Sequence, residues 1–169
     1  MPDISKTSTD EEILRFYNAV VPYLDKGGTI LDFGCGPGRD SLYFSSLGFN
    51  VVSSDDSPKM CEVAMKRGCK NVKCEGFMDL NAVDDYNMVW AMSSLALAQP
   101  ESLPLIISKV YTALKPKGIF FMNLRYENEE PLKGLLGRAD LFQVLDLWGC
   151  KDSRTGRDVH WQNAVLRRK

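Results

Sequence analysis

Histidine is almost missing from this chain: His160 is the only one in 169 residues. The five cysteines (35, 61, 69, 74 and 150) are odd in number and nowhere spaced C-x-x-C. Zinc sites draw on closely spaced Cys and His pairs, so a structural zinc site is not expected, and no other metal is called for. The cysteines read as reduced, mostly buried thiols. No apolar run approaches the roughly 20 residues that cross a bilayer. The opening Met-Pro-Asp-Ile-Ser-Lys has no signal-peptide core. A cytoplasmic protein with no membrane partner is therefore expected. Net charge is also nearly absent, at −1, so no global field draws in a polyanion, which disfavours nucleic acid as a partner. The terminal Arg167-Arg168-Lys169 reads as a solvated strand end. Internal repeats, low-complexity tracts and domain linkers are missing as well.

What is there is a globular composition, 44% hydrophobic and 25% charged, in a length that suits one domain, 1–169. Thr9 with Glu12 three residues later reads as a capping box, and Ile13, Leu14, Tyr17, Val20, Val21 and Leu24 follow at helical spacing. Gly27-Gly28 ends that N-terminal unit, 1–28. Strands are expected at 29–33, 49–54, 71–74, 88–92 and 119–124. Helices are expected at 39–47, from Pro58 to Gly68, and at 100–114, the last ending before Lys115-Pro116-Lys117-Gly118. Stretches 141–148 and 159–166, parted by a polar loop, read as an antiparallel hairpin. Alternating strands and helices of this kind predict an α/β, doubly wound seven-stranded sheet, mostly parallel, with the antiparallel hairpin at its C-terminal end.

The richest stretch is Thr29-Ile-Leu-Asp-Phe-Gly-Cys-Gly-Pro-Gly-Arg-Asp40. An apolar strand ends in an acid, and glycines follow at 34, 36 and 38 before the next helix. Glycine permits positive φ and close approach of a ligand to the backbone. The free N–H groups of the following helix add partial positive charge at the same place. A nucleotide-like cofactor is the expectation. The dinucleotide fingerprint G-x-G-x-x-G fits Gly34 and Gly36, but Arg39 stands where its third glycine belongs. A nicotinamide dehydrogenase is opposed on that ground.

Asp32-x-Gly34-x-Gly36-x-Gly38 instead resembles the first motif of class I S-adenosylmethionine-dependent methyltransferases, a Rossmann-like fold. Asp55 ends the second strand 21 residues after Gly34, where a carboxylate can accept from both ribose hydroxyls. Asp56 competes for that role, or caps the Ser57 helix. The segment Asp55-Asp56-Ser57-Pro58-Lys59-Met60 resembles D-A-S-P-x-M of small methyltransferases related to the tellurite-resistance group. That resemblance places Ser57 and Met60 near adenine. It also gives Gly76-Phe77-Met78 the role of the adenine-contacting loop, where many relatives carry Asp in place of Gly76; Phe77 stacks on the ring or is simply core. Tyr86 to Leu95 is similar to the group's fourth-strand motif Y-D-x-I-W-A-x-A-S-L, which sets Ala91, Met92 and Ser93 beside the methionine part. Cys35, within the glycine loop, completes the implied cofactor contacts: Asp32, Gly34, Cys35, Gly36, Gly38, Asp55, Asp56, Ser57, Met60, 76–78 and 91–93.

The resemblance divides the chain into a cofactor-binding core, 29–124, and a short acceptor-side segment with the hairpin, 125–169. The group commonly places a histidine beside the transferable methyl, where this chain has Leu97, and no catalytic residue is assigned. Trp148, Asp152, Arg154, Arg157, Trp161 and Asn163 follow the group's closing pattern. The two arginines could bind an anion, or pair with Asp152 and Asp158. The segment 127–139 is shorter than the usual insertion that roofs the acceptor pocket. Methyl transfer to a small-molecule acceptor is the expected function. The alternative is a catalytically silent binding module that serves as a partner subunit or sensor.

Overall fold

Two apolar runs with no alternating polar face, Thr29–Phe33 (β1) and Tyr86–Ala91 (β4), lie side by side at the middle of a sheet and are buried on both faces. The structure, a computed structural model, describes residues 8–126, 131–136, 140–151 and 159–169. The remaining strands are β2 (Asn50–Asp55), β3 (Val72–Cys74), β5 (Leu114–Tyr126), β6 (Phe142–Lys151) and β7 (His160–Arg168). The helices are α1 (Ser8–Val20), α2 (Arg39–Ser46), α3 (Pro58–Lys66), α4 (Leu103–Ala113) and α5 (Pro131–Leu136). The sheet runs β3-β2-β1-β4-β5-β7-β6. Its first five strands are parallel, while β7 is antiparallel to both β5 and β6. The strand order reverses between β1 and β4, which opens a crevice at their carboxyl ends, the usual ligand site of such sheets.

Alternate residues of each strand feed two cores. Leu31, Phe33, Val89, Phe120 and Met122 pack against Ile106, Ile107 and Val110 of α4. Ile30, Met88, Trp90 and Phe121 pack against Phe16, Tyr17 and Val20 of α1 and against Phe44 of α2. The period of 2 in the strands and 3.6 in the helices puts these side chains on facing surfaces.

Several boundaries differ from the sequence expectation, for local reasons. Residues 115–118, expected as a loop, are an irregularity inside β5: the register with β4 jumps from Tyr86↔Leu114 to Met88↔Ile119. Lys117 there has φ +64, and Lys115 Nζ donates to Asn87 Oδ1 at 3.1 Å, so the chain kinks and resumes pairing. The helix expected from Pro100 opens with a 3-10 turn at 100–102, and α4 follows with Pro104 in its first turn. Helix α1 begins at Ser8, so Thr9, expected as its cap, falls inside it, with a side chain outside the description. Within the brief 127–139 segment, Pro131–Leu136 form α5. Arg168 is a correction to the solvated basic tip: its guanidinium donates to Asp84 Oδ1 and to the carbonyl of Leu114, and lies 4.5 Å from the Tyr111 ring. Asp152, Arg154, Arg157 and Asp158 lie outside the described residues. No helix among the described residues is long and apolar enough to cross a membrane.

Candidate functional site

The turn after β1 is built by three glycines with left-handed φ: +83 at Gly34, +52 at Gly36 and +82 at Gly38. They differ in what surrounds them. A Cβ on Gly34 would come 2.4 Å from Ser94 Cβ, and one on Gly38 2.4 Å from Cys69 Sγ, whereas one on Gly36 would meet nothing within 4 Å. Gly34 and Gly38 therefore serve packing as well as backbone geometry, and Gly36 faces open space. The amides of Gly34 and Cys35 both donate to the carbonyl of Ser54, at 2.9 and 2.8 Å, which fastens the turn to β2. A cavity of about 380 Å³ lies against it, lined by residues 34–37, Arg39, Asp40, Arg67 and Met92. That volume is in the range of small-ligand sites.

Asp55 stands at the carboxyl end of β2, beside the loop. Its Oδ2 accepts from the Gly36 amide at 2.8 Å and its Oδ1 from the Ser57 amide at 2.9 Å. A carboxylate has about four acceptor positions, so the two oxygens keep capacity for a pair of hydroxyl donors. Asp56 is exposed and makes no side-chain hydrogen bond among the described residues. Ser57 is the N-cap of α3, accepting from the Met60 amide at 3.4 Å, with Pro58 at the first helical position. Across the crevice, Phe77 sits edge-on to Phe33, ring centroids 4.8 Å apart, half-buried beside the core while Met78 is exposed. The Gly76 amide is held by Asp79 Oδ2 at 2.8 Å, an acid two places after Phe77 that the sequence reading passed over.

At the end of β4, Ala91 is buried, Met92 lines the cavity, and Ser93 turns the chain with φ +58. The Ser93 amide donates to Asn123 Oδ1 at 2.6 Å, and Ser94 Oγ to the Phe33 carbonyl at 2.6 Å. Leu97, at the position of the resembling group's histidine, is 85% exposed. His160 stands on β7 opposite Tyr126, three pairs along the seam from Asn123↔Asn163. At about 3.4 Å per residue and about 4.8 Å per strand, that puts it on the order of 14 Å from Met92.

Beneath the loop two acids are buried. Asp40 accepts from Tyr17 Oη at 2.5 Å, Arg39 Nε at 2.7 Å and Trp90 Nε1 at 2.9 Å, tying α1, α2 and β4 into one node. Asp32 lies below the cavity and outside its lining; its Oδ2 accepts from Ser41 Oγ at 2.6 Å, and Ser41 Oγ accepts from Ser53 Oγ at 2.7 Å. Burial, reinforced by the negative Asp40, pushes the Asp32 carboxyl up to about 7. Burial likewise raises the Cys35 thiol well above its ordinary range, with Asp32 and Asp55 adding to the effect, so this thiol stays protonated and is no nucleophile. Among the described residues no three His, Cys, Asp or Glu side chains converge on a metal position.

The structure thus brings together Gly34, Cys35, Gly36, Gly38, Asp55, Ser57, Phe77, Met92 and Ser93 around one crevice, with Asp32 as its support. Sequence reasoning missed Arg39, Asp40, Arg67 and Asn123. Arg39 had registered only as the residue that breaks the dinucleotide spacing, and Asn123 only as part of an apolar strand. An amide inside Ile119–Leu124 was the available signal for the latter.

Residues 30–118, just over half the chain, match the family described as methyltransferase domain. An uncharacterised methyltransferase of Synechocystis sp. is 33% identical over 103 residues, 57% of this chain and 47% of that protein. A malonyl-[acyl-carrier protein] O-methyltransferase of Pectobacterium atrosepticum is 30% identical over 93 residues, 55% of this chain and 37% of that protein. The chain spans less than half the length of these two curated relatives. Among solved structures, a SAM-dependent methyltransferase of Methanosarcina mazei superposes with TM-score 0.77 at 20% identity, covering 90% of this chain and 97% of its own. A TehB-like SAM-dependent methyltransferase of Corynebacterium glutamicum gives TM-score 0.70 at 17% identity, covering 92% and 86%. By the family match over its glycine loop, Asp55 strand end and β4 exit, the chain belongs to the methyltransferase domain family.

Proposed function

We propose that the protein transfers a methyl group from S-adenosylmethionine to a small-molecule acceptor. The observation that carries this reading is the Gly36–Asp55 pairing: an open glycine amide and a carboxylate with acceptor capacity to spare, at the switch point of a doubly wound sheet. Asp55 would hold the ribose hydroxyls, with Asp56 outside the hydrogen-bonded turn. Ser57, Met60 and Phe77 would border the adenine, and Ala91, Met92 and Ser93 the methionine part. Gly76, as N-cap, and Met78 flank Phe77 at the 3-10 turn Phe77–Asp79. Asp32 would act from below, by holding the loop's support. When bound, S-adenosylmethionine supplies an electrophilic sulfonium methyl, open to in-line displacement by an oxygen, nitrogen or sulfur nucleophile.

The chain's own contribution is to bind, orient and exclude water, which can supply much of the rate when the electrophile needs no activation. Leu97 at the β4 exit offers no proton acceptor. The acceptors that suit such a site need no strong base or arrive already ionised. The D-x-S-P-x-M segment and the closing W-x-N keep the tellurite-resistance-like group as the nearest subgroup reading. Leu97, exposed and apolar where that group has histidine, favours the second reading, a silent cofactor-binding module acting as partner subunit or sensor.

Methyl transfer from labelled S-adenosylmethionine across metabolite, peptide and tRNA pools decides between them. Label in the metabolite pool, retained in His160→Ala, is the expected result. Label in tRNA or protein would sink the small-molecule acceptor. Firm cofactor binding with no transfer to any pool would establish the silent module.

A further inference from the structure

We propose that Asn123, on β5, is a positioning residue for the cofactor site: its side-chain oxygen holds Ser93 in the left-handed turn that ends β4, and thereby sets the cavity wall formed by Met92. The inference rests on the assignment of S-adenosylmethionine to that cavity. Ser93 has φ +58, a conformation that costs energy in any residue with a Cβ and that Gly or Asn would adopt more readily. Its amide points to Asn123 Oδ1 at 2.6 Å. The other end of the same amide side chain, Nδ2, reaches Met92 Sδ at 3.5 Å. Asn123 is 1% exposed and Ser93 half-buried, so the bond forms partly shielded from water, where an unmet backbone N–H is costly.

Both contacts of Asn123 thus end on the two residues by which the chain leaves β4. The next residue, Ser94, is the one a Cβ on Gly34 would strike, at 2.4 Å, and its Oγ bonds the Phe33 carbonyl. The turn that Asn123 stabilises is therefore in direct contact with the glycine loop. A neutral amide suits the position because it accepts from an N–H at one end and donates to a thioether at the other. A carboxylate would bring a buried charge, and a hydrocarbon would leave the Ser93 amide unpaired.

Because glycine adopts positive φ without the Cβ penalty, Ser93→Gly should make the turn independent of Asn123. The test is a double-mutant cycle read as S-adenosylhomocysteine affinity by calorimetry. In the native background Asn123→Ala should weaken binding about tenfold or more. In the Ser93→Gly background the same change should cost no more than about threefold. In a Ser93→Ala background it should cost as much as in the native chain. Native-like affinity in Asn123→Ala, or an equal loss in the glycine background, would overturn the inference, the latter because it would mean a packing role that glycine cannot relieve. Should Asn123→Ala fail to fold, hydrogen exchange of the Ser93 amide in the native protein takes its place. Protection is expected, and exchange at the rate of an open amide would overturn the proposal. Absence of S-adenosylhomocysteine binding by the native chain is a different result, one that removes the cofactor assignment itself.

Discussion

At the scale of single residues, the glycine loop separates into two positions packed against the fold, Gly34 and Gly38, and one, Gly36, that faces open space. Gly34→Ala forces a Cβ into Ser94, so its main effect should be a lowered melting temperature. At Gly36 an added Cβ meets no protein atom within 4 Å; Gly36→Val fills the open space beside the loop and is strained at a φ of +52. It should abolish S-adenosylhomocysteine binding while costing less stability than Gly34→Ala. Calorimetry and thermal unfolding of both variants check this, and the reverse ranking would mean that the ligand does not lie on Gly36. Asp55→Ala should weaken the same ligand by roughly 1.5–3 kcal/mol, the range for hydrogen bonds to a charged group. Asp56→Ala should do less, because Asp55 alone is locked to the loop. A larger loss from Asp56→Ala would move the ribose contact by one position. Asp32 makes a pH prediction. Its folded carboxyl titrates near 7 against an ordinary 3.8, so the native state resists ionising it. Its contribution to stability is complete below about 4 and is lost as pH rises through 7. Asp32→Asn should therefore gain on the native chain by up to a few kcal/mol between pH 4 and 8, as read from urea unfolding at each pH. A difference independent of pH would refute the assignment.

Elements are joined here through Asp40, where α1, α2 and β4 meet. Tyr17 supplies the α1 contact, a hydroxyl whose ionisation is suppressed by burial and by the adjacent Asp40 carboxylate. Tyr17→Phe keeps the ring stack on Tyr43, at 3.8 Å between centroids, and removes only the hydroxyl. A loss of about 1.5–3 kcal/mol is expected, with faster hydrogen exchange along α1 than elsewhere. Uniform change across all helices would argue against α1 being tied to the loop through this bond. Element types could be read from the sequence because period and punctuation agreed: Ser57-Pro58 opened α3 and Gly48 followed α2. Ends were less legible. Lys115-Pro116-Lys117-Gly118 carries every local sign of a loop, yet β4 continues to pair on either side of it, and only the neighbouring strand makes it an interruption within β5.

For the whole molecule, a ligand that binds only the native state raises stability by about 2.7 kcal/mol at a hundred times its dissociation constant. For a chain of this size that is on the order of 5–10 °C in melting temperature. S-adenosylhomocysteine should produce that shift and NAD should not, as differential scanning fluorimetry can show. The opposite pattern would favour a dinucleotide site despite Arg39.

The sequence by itself determined the sheet class, the glycine loop and the carboxylate at the end of β2, because those signals are local: periodicity, φ requirements and a fixed spacing along one crossover unit. Contacts between distant segments were decided only by the tertiary structure. Asn123 is 30 residues from Ser93, and Asp40 is 23 from Tyr17 and 50 from Trp90. Arg168 looked like a solvated tip until β7 was set beside β5, 84 residues from Asp84 in sequence. Which of three equivalent glycines faces open space likewise followed from Ser94 and Cys69, which arrive in the connections after β4 and α3. Local chemistry chooses the elements, and strand order chooses their neighbours, a choice that no window of sequence contains.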